Sequence, residues 1–223
     1  MPFVIVAAVA ALGVLLLATA MERTPAPTTG VGDEIRTLLR APVLLAVATT
    51  TIGFAGVGLV FTYLAPLLSE VTGIAAGTIP GLLLAYGIGG FIGNLVAGRL
   101  ADLSVRATLV GVLLALILTL AVFPLLAPRP APMIGAVLIL GLLSTATIAP
   151  LQSLVLHHAG AAPTLSLAVN VGAFNLANAI GAALGGLGAA AGLLRWSGFG
   201  GALLAAAGLG LAAAALRMDR EAR

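Results

Sequence analysis

The stretch NVGAFNLANAIGAALGG, residues 170–186, places three asparagines and no charged residue among Ala, Gly, Leu, Ile, Val and Phe. An amide in hydrocarbon needs a hydrogen-bonding partner, and glycine lets a second helix backbone approach closely. The stretch therefore predicts a membrane helix with one face that packs on protein or borders a water-filled cavity.

The composition of the whole chain extends this prediction. Of the 223 residues, 61% are hydrophobic and only 8% are charged, whereas about 25% are charged in soluble domains. A soluble domain also needs polar residues to cover its outside. The predicted environment of this chain is therefore a lipid bilayer.

Several partners are excluded by the same composition. The ten basic residues are all Arg and are scattered singly, and aromatic residues make up 4% of the chain. Nucleic-acid binding would require a dense basic stripe with stacking aromatics, so we expect no nucleic-acid partner. With no cysteine, a disulfide framework and a Cys-based metal site are also excluded.

Uncharged runs of the length that a membrane requires occur seven times. A span takes about 20 apolar residues at 1.5 Å each, and none of these runs contains Asp or Glu. The predicted spans are Phe3–Ala20, Pro42–Leu68, Pro80–Gly98, Ala107–Ala127, Met133–Leu156, Thr164–Leu194 and Trp196–Leu216.

These runs divide the chain into a first transmembrane helix (1–20), a linker (21–41), a six-helix bundle (42–216) and a tail (217–223). The first run lacks the basic segment and the small-residue cleavage site of a signal peptide, so we interpret it as a span. The linker contains Pro, Gly and Thr and leads into a short amphipathic turn.

The distribution of arginine predicts the orientation. Eight arginines fall on one side of the membrane: Arg23, Arg36, Arg40, Arg99, Arg106, Arg217, Arg220 and Arg223. Only Arg129 and Arg195 fall on the other. By the positive-inside rule the linker, the tail and the C-terminus are cytoplasmic. Met1 is then outside, which suggests that the chain begins partway through something larger.

Three of the spans carry polar residues suited to a solute cavity. On a helical wheel Asn170, Phe174, Asn178, Gly181 and Gly185 fall within about 80° of one another, and Asn175 lies off this face. The stripe has two interpretations, adhesion between helices and contact with a solute. Other cavity candidates are Thr62 and Tyr63 near the kink-prone Pro66, and Gln152 on the fifth run.

Glycine pairs recur at matching places in the bundle. Gly89 with Gly93 and Gly181 with Gly185 form GxxxG pairs, which favour close helix packing. Each pair lies on the second member of a group of three spans, and consecutive groups of three cross the membrane in opposite senses. This pattern is typical of an inverted-topology repeat.

A charged cluster follows the first glycine pair. Arg99, Asp102 and Arg106 are spaced by three and four residues, so a continuous helix would bring one carboxylate to two guanidiniums. The alternative is a plain cytoplasmic loop whose arginines only set topology.

Catalytic chemistry is not predicted. The seven spans contain no carboxylate to act as an acid, a base or a proton carrier, and no protease motif. The adjacent His157 and His158 do not share a helical face, so a metal site is not expected. We therefore expect no enzyme activity, no cofactor and no metal.

Four segments together resemble a known family: FTYLAPLLSEVTGI (61–74), LLLAYGIGGFIGNLVAGRLAD (82–102), APLQSLVLHHAG (149–160) and LSLAVNVGAFNLANAIGAALGG (165–186). They are similar to the C-terminal half of major facilitator superfamily transporters, in particular to drug:proton antiporters such as arabinose-type sugar and chloramphenicol efflux permeases. The resemblance covers residues 3–216, in register with helices six to twelve of the family.

This resemblance implies roles for several residues. The family loop motif G-R-x-x-D-R-x-G-R falls on Gly98, Arg99, Asp102 and Arg106, where it biases the inward–outward equilibrium, although Leu103 and Val105 depart from it. Asn170, Asn175 and Asn178 fall on the family's eleventh helix, which borders the central cavity. Proton coupling belongs to helices one to five, which the chain does not match.

The expected architecture is an all-α polytopic membrane protein with seven transmembrane helices, the last six forming a half-bundle of two inverted three-helix repeats. The expected function is secondary efflux of a small organic solute, drug or sugar-like, across the cell membrane. Two alternatives remain, a half-transporter that needs a partner half and a membrane scaffold that transports nothing.

Overall fold

The computed structural model describes residues 2–20, 31–160 and 162–221. The chain forms two compact units, residues 1–30 and 31–223. The first contains helix α1 (Pro2–Ala20), which is apolar except for Thr19. Thr19 donates its hydroxyl proton back to the Leu15 carbonyl at 3.1 Å, which satisfies the hydroxyl inside the helix.

The described residues of the second unit form helices joined by short turns, with no strand. Its α-helices are α2 (Val31–Leu38), α3 (Ala41–Thr62), α4 (Leu64–Pro66), α5 (Ile79–Leu126), α6 (Pro130–Ala146), α7 (Ile148–His158), α8 (Pro163–Ala190) and α9 (Ser197–Glu221). A π-helical turn (Leu67–Val71) and two 3₁₀ turns (Ala76–Thr78, Leu194–Trp196) complete it.

Five helices among the described residues are long and apolar enough to cross a membrane: Ala41–Thr62, Ala76–Leu126, Pro130–His158, Pro163–Ala190 and Leu194–Met218. The longest is broken at Ser104, whose backbone is extended (φ −163°, ψ 101°). The Ser104 hydroxyl oxygen accepts a hydrogen bond from the Ala107 N–H at 3.2 Å, as an N-cap does. The segments 79–103 and 105–126 each have the roughly 20 residues of a span.

Three boundaries differ from the predicted ones. The third run was expected to end at Gly98, but helix continues to 103. The sixth was expected to reach Leu194, but α8 ends at Ala190. Gly192 follows with φ 72°, a left-handed conformation that ends helices because glycine adopts it without steric cost. The expected tail is helical as far as Glu221, and its last two residues lie outside the described part.

The predicted linker is partly described. Residues 21–30, with Arg23, lie outside the described part of the chain. Residues 31–38 form α2, which carries Asp33 and Glu34 in its first turn and Arg36 in its last. This placement of charges complements the helix dipole. The short amphipathic element expected before the bundle is therefore a helix.

Two buried clusters hold the bundle together. One joins the ends of α3 and α5 to the start of α6 and is built around Val60, Leu64, Leu120, Phe123 and Met133, each at most 1% exposed. The other joins the start of α3 to α7, α9 and the second segment of α5 through Ala46, Leu109, Leu113, Leu151 and Ala212. The two clusters lie towards opposite ends of α3.

Helix α9 packs on α3 through paired glycines. A β-carbon on Gly201 would lie 2.8 Å from the Gly56 carbonyl oxygen, and one on Gly53 would lie 3.5 Å from the Gly208 Cα. The absence of side chains at these positions lets the two backbones touch.

Arg195 has a structural contact at the turn before α9. Its Nε donates to the Pro124 carbonyl oxygen at 3.1 Å, in the last turn of α5. Its guanidinium also lies 5.1 Å from the centre of the Trp196 ring. A cation at a helix C-terminus satisfies a carbonyl that has no helical partner, so Arg195 joins the turn before α9 to the end of α5.

Candidate functional site

Helices α3 and α8 cross at glycines and run parallel. A β-carbon on Gly181 would lie 2.5 Å from both the Ala55 carbonyl oxygen and the Leu59 nitrogen. One on Gly58 would lie 3.0 Å from the Asn178 Cα. Such approaches leave no room for a side chain, so the predicted stripe on α8 lies against α3.

The first segment of α5 crosses α6 in a similar way. A β-carbon on Gly89 would lie 3.1 Å from the Leu138 carbonyl oxygen and 3.4 Å from the Leu142 nitrogen. One on Gly141 would lie 2.8 Å from the Tyr86 Cα. Gly90 meets Thr145, four residues further along each helix than the Tyr86–Gly141 contact, so this pair is also parallel.

The two crossings match contact by contact. In each, one glycine abuts the Cα of a residue three positions before the partner's glycine pair: Gly58 abuts Asn178, and Gly141 abuts Tyr86. The first glycine of each pair, Gly181 or Gly89, meets one carbonyl oxygen and one amide nitrogen of the neighbouring helix. These groups belong to residues 55 and 59 in one crossing and to residues 138 and 142 in the other, which is a shift of 83 in both cases. This equivalence is what an inverted repeat of α3 with α6, and of α5 with α8, would produce.

The second glycine of each pair completes the match. A β-carbon on Gly185 would lie 2.9 Å from the Leu59 carbonyl oxygen, and one on Gly93 would lie 3.0 Å from the Leu142 Cα. All four predicted packing glycines therefore lie where two helix backbones touch.

Both crossings end at a break caused by proline. α3 ends at Thr62, four residues before Pro66, and α6 ends at Ala146, four residues before Pro150. Proline has no N–H to donate to the carbonyl four residues earlier, and its ring clashes with that carbonyl. The bend at Pro66 was anticipated from the sequence. Pro150 was overlooked, although an X-Pro step inside an apolar run is the same signal.

Hydroxyls join the α5–α6 crossing. Tyr86 donates to the Ser144 hydroxyl oxygen at 2.8 Å, and the Thr145 hydroxyl donates to the Gly90 carbonyl. The Tyr86 ring also stacks on Phe61 of α3, with ring centres 4.8 Å apart. Sequence reasoning missed the Phe61 stack and the Tyr86–Ser144 bond, because partners 25 and 58 residues apart carry no local signal.

The predicted amides of α8 separate into different environments. Asn170 is 0% exposed, whereas Asn175 and Asn178 are exposed. Asn175 donates to the Val171 carbonyl at 3.1 Å. Phe174 packs edge-on against Phe54, with ring centres 4.9 Å apart. The wheel grouped Asn170 with Asn178, but the structure buries the Asn170 side chain and leaves the Asn178 side chain exposed.

The remaining cavity candidates lie around the end of α3. Thr62 is exposed and donates to the Gly58 carbonyl at 2.7 Å, so it lies on the same side of α3 as Asn178. The half-buried Tyr63, which follows α3, packs against α8, because a β-carbon on Gly186 would lie 2.7 Å from its hydroxyl oxygen. Gln152 is half-buried on α7. Thr62 and Asn178 are thus two exposed candidates that both contact Gly58, and the exposed Phe61 precedes Thr62 in the chain.

The loop motif lies across the break in α5. Arg99, Asp102 and Arg106 are exposed and Gly98 is half-buried. We expected one helical face for the three charged residues if the helix continued, but it breaks at Ser104. Asp102 and Arg106 therefore do not stand one turn apart on a continuous helix. Ser104 was the overlooked signal, because serine favours the N-cap that it forms here.

No group of three or more His, Cys, Asp or Glu residues in the described part of the chain is placed to hold a metal ion. The chemistry that this surface offers is hydrogen bonding by hydroxyls and amides beside two stacked rings.

The chain is similar to several transport proteins of bacteria. It is 37% identical over 209 residues to the MFS-type transporter YfhI of Bacillus subtilis, covering 93% of this chain and 53% of that protein. It is 37% identical over 190 residues to the inner membrane transport protein YdhP of Escherichia coli, covering 83% and 49%. A chloramphenicol resistance protein of Streptomyces lividans is 34% identical over 174 residues, covering 77% and 44%.

The chain spans about half the length of the curated relatives it matches. The family model of the Major Facilitator Superfamily matches residues 1–186, which include both glycine crossings and both proline breaks. The chain is a membrane protein that belongs to the Major Facilitator Superfamily.

Proposed function

We propose that the chain supplies one half of a secondary transporter that exports a small organic solute by alternating access. The observation that carries the proposal is the contact-by-contact match of the two crossings. Inverted repeats in transporters place the solute near the bilayer midplane at the interface between repeats. The family membership and the chloramphenicol resistance protein among the relatives support export of an uncharged organic molecule.

The proposed solute surface consists of Thr62 and Asn178 with the Phe61–Tyr86 stack. Uncharged polar groups exposed at membrane depth are costly against lipid, so this surface fits a protein interface or an aqueous cavity. A flat ring can stack on Phe61, which is 44% exposed, while the amide and the hydroxyl bind its polar edge. Tyr63, Gln152, Phe174 and the buried Asn170 act behind this surface, by supporting the helices that form it.

The other half of the transporter supplies the remaining wall of the cavity and the proton coupling. The spans predicted from this sequence contain no Asp or Glu that could carry a proton across the bilayer. The positive-inside rule supports a cytoplasmic C-terminus. Gly98, Arg99, Asp102 and Arg106 then lie at the cytoplasmic surface, where they bias the transporter between its two states.

The experiment is co-expression of this chain with the first half of its Escherichia coli relative, with radiolabelled chloramphenicol as the probe. We expect export only when both halves are present, and a lower export rate in the Asn178→Ala variant. Proton-driven transport by the purified chain alone in liposomes would refute the half-transporter proposal. A chain that assembles with the other half, yet neither binds nor exports solutes, would be a scaffold.

A further inference from the structure

Two side chains on the buried face of α8 have no protein partner for their polar atoms. Asn170 and Ser166 are both 0% exposed. Within the described part of the chain, neither the Asn170 Oδ1 and Nδ2 nor the Ser166 Oγ has a hydrogen bond. The two residues are four positions apart, so they lie one above the other on the helix. Three unpaired polar atoms buried together are rare in native proteins.

The register of the α3–α8 pair shows which residues of α3 lie level with them. Phe54 meets Phe174 and Gly58 meets Asn178, a shift of 120 in both cases. The same shift places Thr50 level with Asn170 and Ala46 level with Ser166. Thr50 is 0% exposed and donates to the Ala46 carbonyl at 3.3 Å, so its oxygen lone pairs remain available to accept.

We propose that Asn170 and Ser166 bind an internal water molecule between α8 and α3. A buried water typically makes about three hydrogen bonds and needs two to four polar partners. Water can accept from the Asn170 Nδ2 and donate to the Oδ1 or to the Ser166 Oγ. A metal cation would suit the two oxygens but would be repelled by the buried amide N–H groups, and neither α3 nor α8 contains a carboxylate to balance it. A ligand that both donates and accepts therefore fits this site, and a cation does not.

The site makes the two ends of the α3–α8 contact different. Around Gly58 and Gly181 the backbones touch without room for water, whereas near Asn170 the contact is polar and water-mediated. The equivalent of Thr50 in α6, by the same shift of 83, is Met133, which is fully buried in an apolar cluster. Only one of the two crossings therefore has a hydrated end among the described residues, and that end exchanges its contacts with water more readily.

The test compares thermal unfolding of the full chain in nanodiscs with that of its variants. We expect Asn170→Leu and Ser166→Ala each to lower the melting temperature, because each leaves the water with too few partners. The melting temperature of the double variant should fall by less than the sum of the two single decreases, since both side chains bind the same water molecule. The matched control is Asn175→Leu on the exposed face of the same helix, which should leave the Ser166→Ala effect unchanged.

The opposite sign would overturn the proposal. If these atoms are dry, Asn170→Leu removes an unpaired buried amide and raises the melting temperature. A direct measurement does not depend on how the variants fold: magnetisation transfer from water to the ¹⁵N-labelled side-chain amide of Asn170. A cross peak that persists in wild type and is lost in Ser166→Ala supports the bound water, and its absence in wild type refutes it.

Discussion

At the α5–α6 crossing, Tyr86 and Thr145 bind across the interface through hydroxyls. At the equivalent α3–α8 crossing, the residue that corresponds to Tyr86 is Asn178, which is exposed. The backbone contacts are nevertheless the same, residue for residue. The comparison teaches that glycine sets the geometry of both crossings, whereas the side chains around each crossing are free to differ. They hold helices together in one crossing and, as we propose, form a solute surface in the other.

The largest effects should come from the glycines that both crossings share. We expect Gly181→Ala and Gly93→Ala each to destabilise the chain by about 1–3 kcal/mol, because the new methyl group meets the backbone of the neighbouring helix. The measurement is the denaturation midpoint in mixed detergent–SDS micelles.

Each variant has a matched control on its own helix. Around Gly172 on α8 and Gly87 on α5 no atom lies within 4 Å of an added β-carbon. These Gly→Ala variants should be neutral or more stable by about 0.5–1 kcal/mol, since alanine is the better helix former. If Gly→Ala lowered stability at only one of the two crossings, the two glycine pairs would not be equivalent.

The proline breaks should have the next largest effect. Pro66→Ala and Pro150→Ala each restore an N–H donor opposite the Thr62 or the Ala146 carbonyl, and a hydrogen bond contributes about 1 kcal/mol. We expect higher melting temperatures and slower amide exchange around Tyr63 and Thr147. If straight helices prevent alternating access, the same variants should transport more slowly in the assembled transporter.

Pro163→Ala is the control for these substitutions. Pro163 begins α8, where a missing N–H costs little because the first helical amides have no partner in the helix. Its replacement should therefore change neither the melting temperature nor amide exchange. An effect as large as that of Pro66→Ala would show that the bends do not depend on a missing hydrogen bond.

The hydroxyl bond at one crossing should have a smaller effect. Membrane hydrogen bonds contribute about 0.6 kcal/mol on average in double-mutant cycles. A cycle of Tyr86→Phe with Ser144→Ala should give a coupling energy of about this size, because the two hydroxyls lie 2.8 Å apart. A control cycle at the end of α3 pairs Tyr63→Phe with Thr62→Ala. It should show no coupling, since Thr62 bonds the Gly58 carbonyl instead.

The sequence was sufficient to predict the lipid environment, the helical class and the family, since composition and apolar runs report directly on burial in hydrocarbon. It also directed attention to the four glycines that lie at the crossings. It did not predict the break at Ser104, because a single extended residue leaves the apolar period on either side unchanged. It also could not separate Asn170 from Asn178, because a helical wheel gives direction and not how far the neighbouring helix extends.

The interpretation of the site was limited for a related reason. Which residues face a cavity depends on contacts between distant parts of the chain, such as Phe61 with Tyr86, and these contacts have no sequence period. The match between crossings depends on a shift of 83 residues, which becomes visible only when the neighbours of each glycine are known. Sequence patterns therefore predicted the helices and the glycine-containing faces of two of them, and the structure was needed to show which helices pack against each other.

The smallest effect on stability is expected at Asn178, and this result would separate the two crossings most clearly. Its amide is exposed, and substitutions of exposed residues usually change stability by less than about 0.5 kcal/mol. Asn178→Ala should therefore unfold like wild type, whereas Tyr86→Phe at the equivalent position should not. The measurement pairs the denaturation midpoint with solute export by the co-expressed halves, where Asn178→Ala should reduce export and Asn178→Gln should recover part of it. A clear loss of stability in Asn178→Ala would mean that this amide holds helices together, as the hydroxyls do at the other crossing, and the solute surface would then have to lie elsewhere.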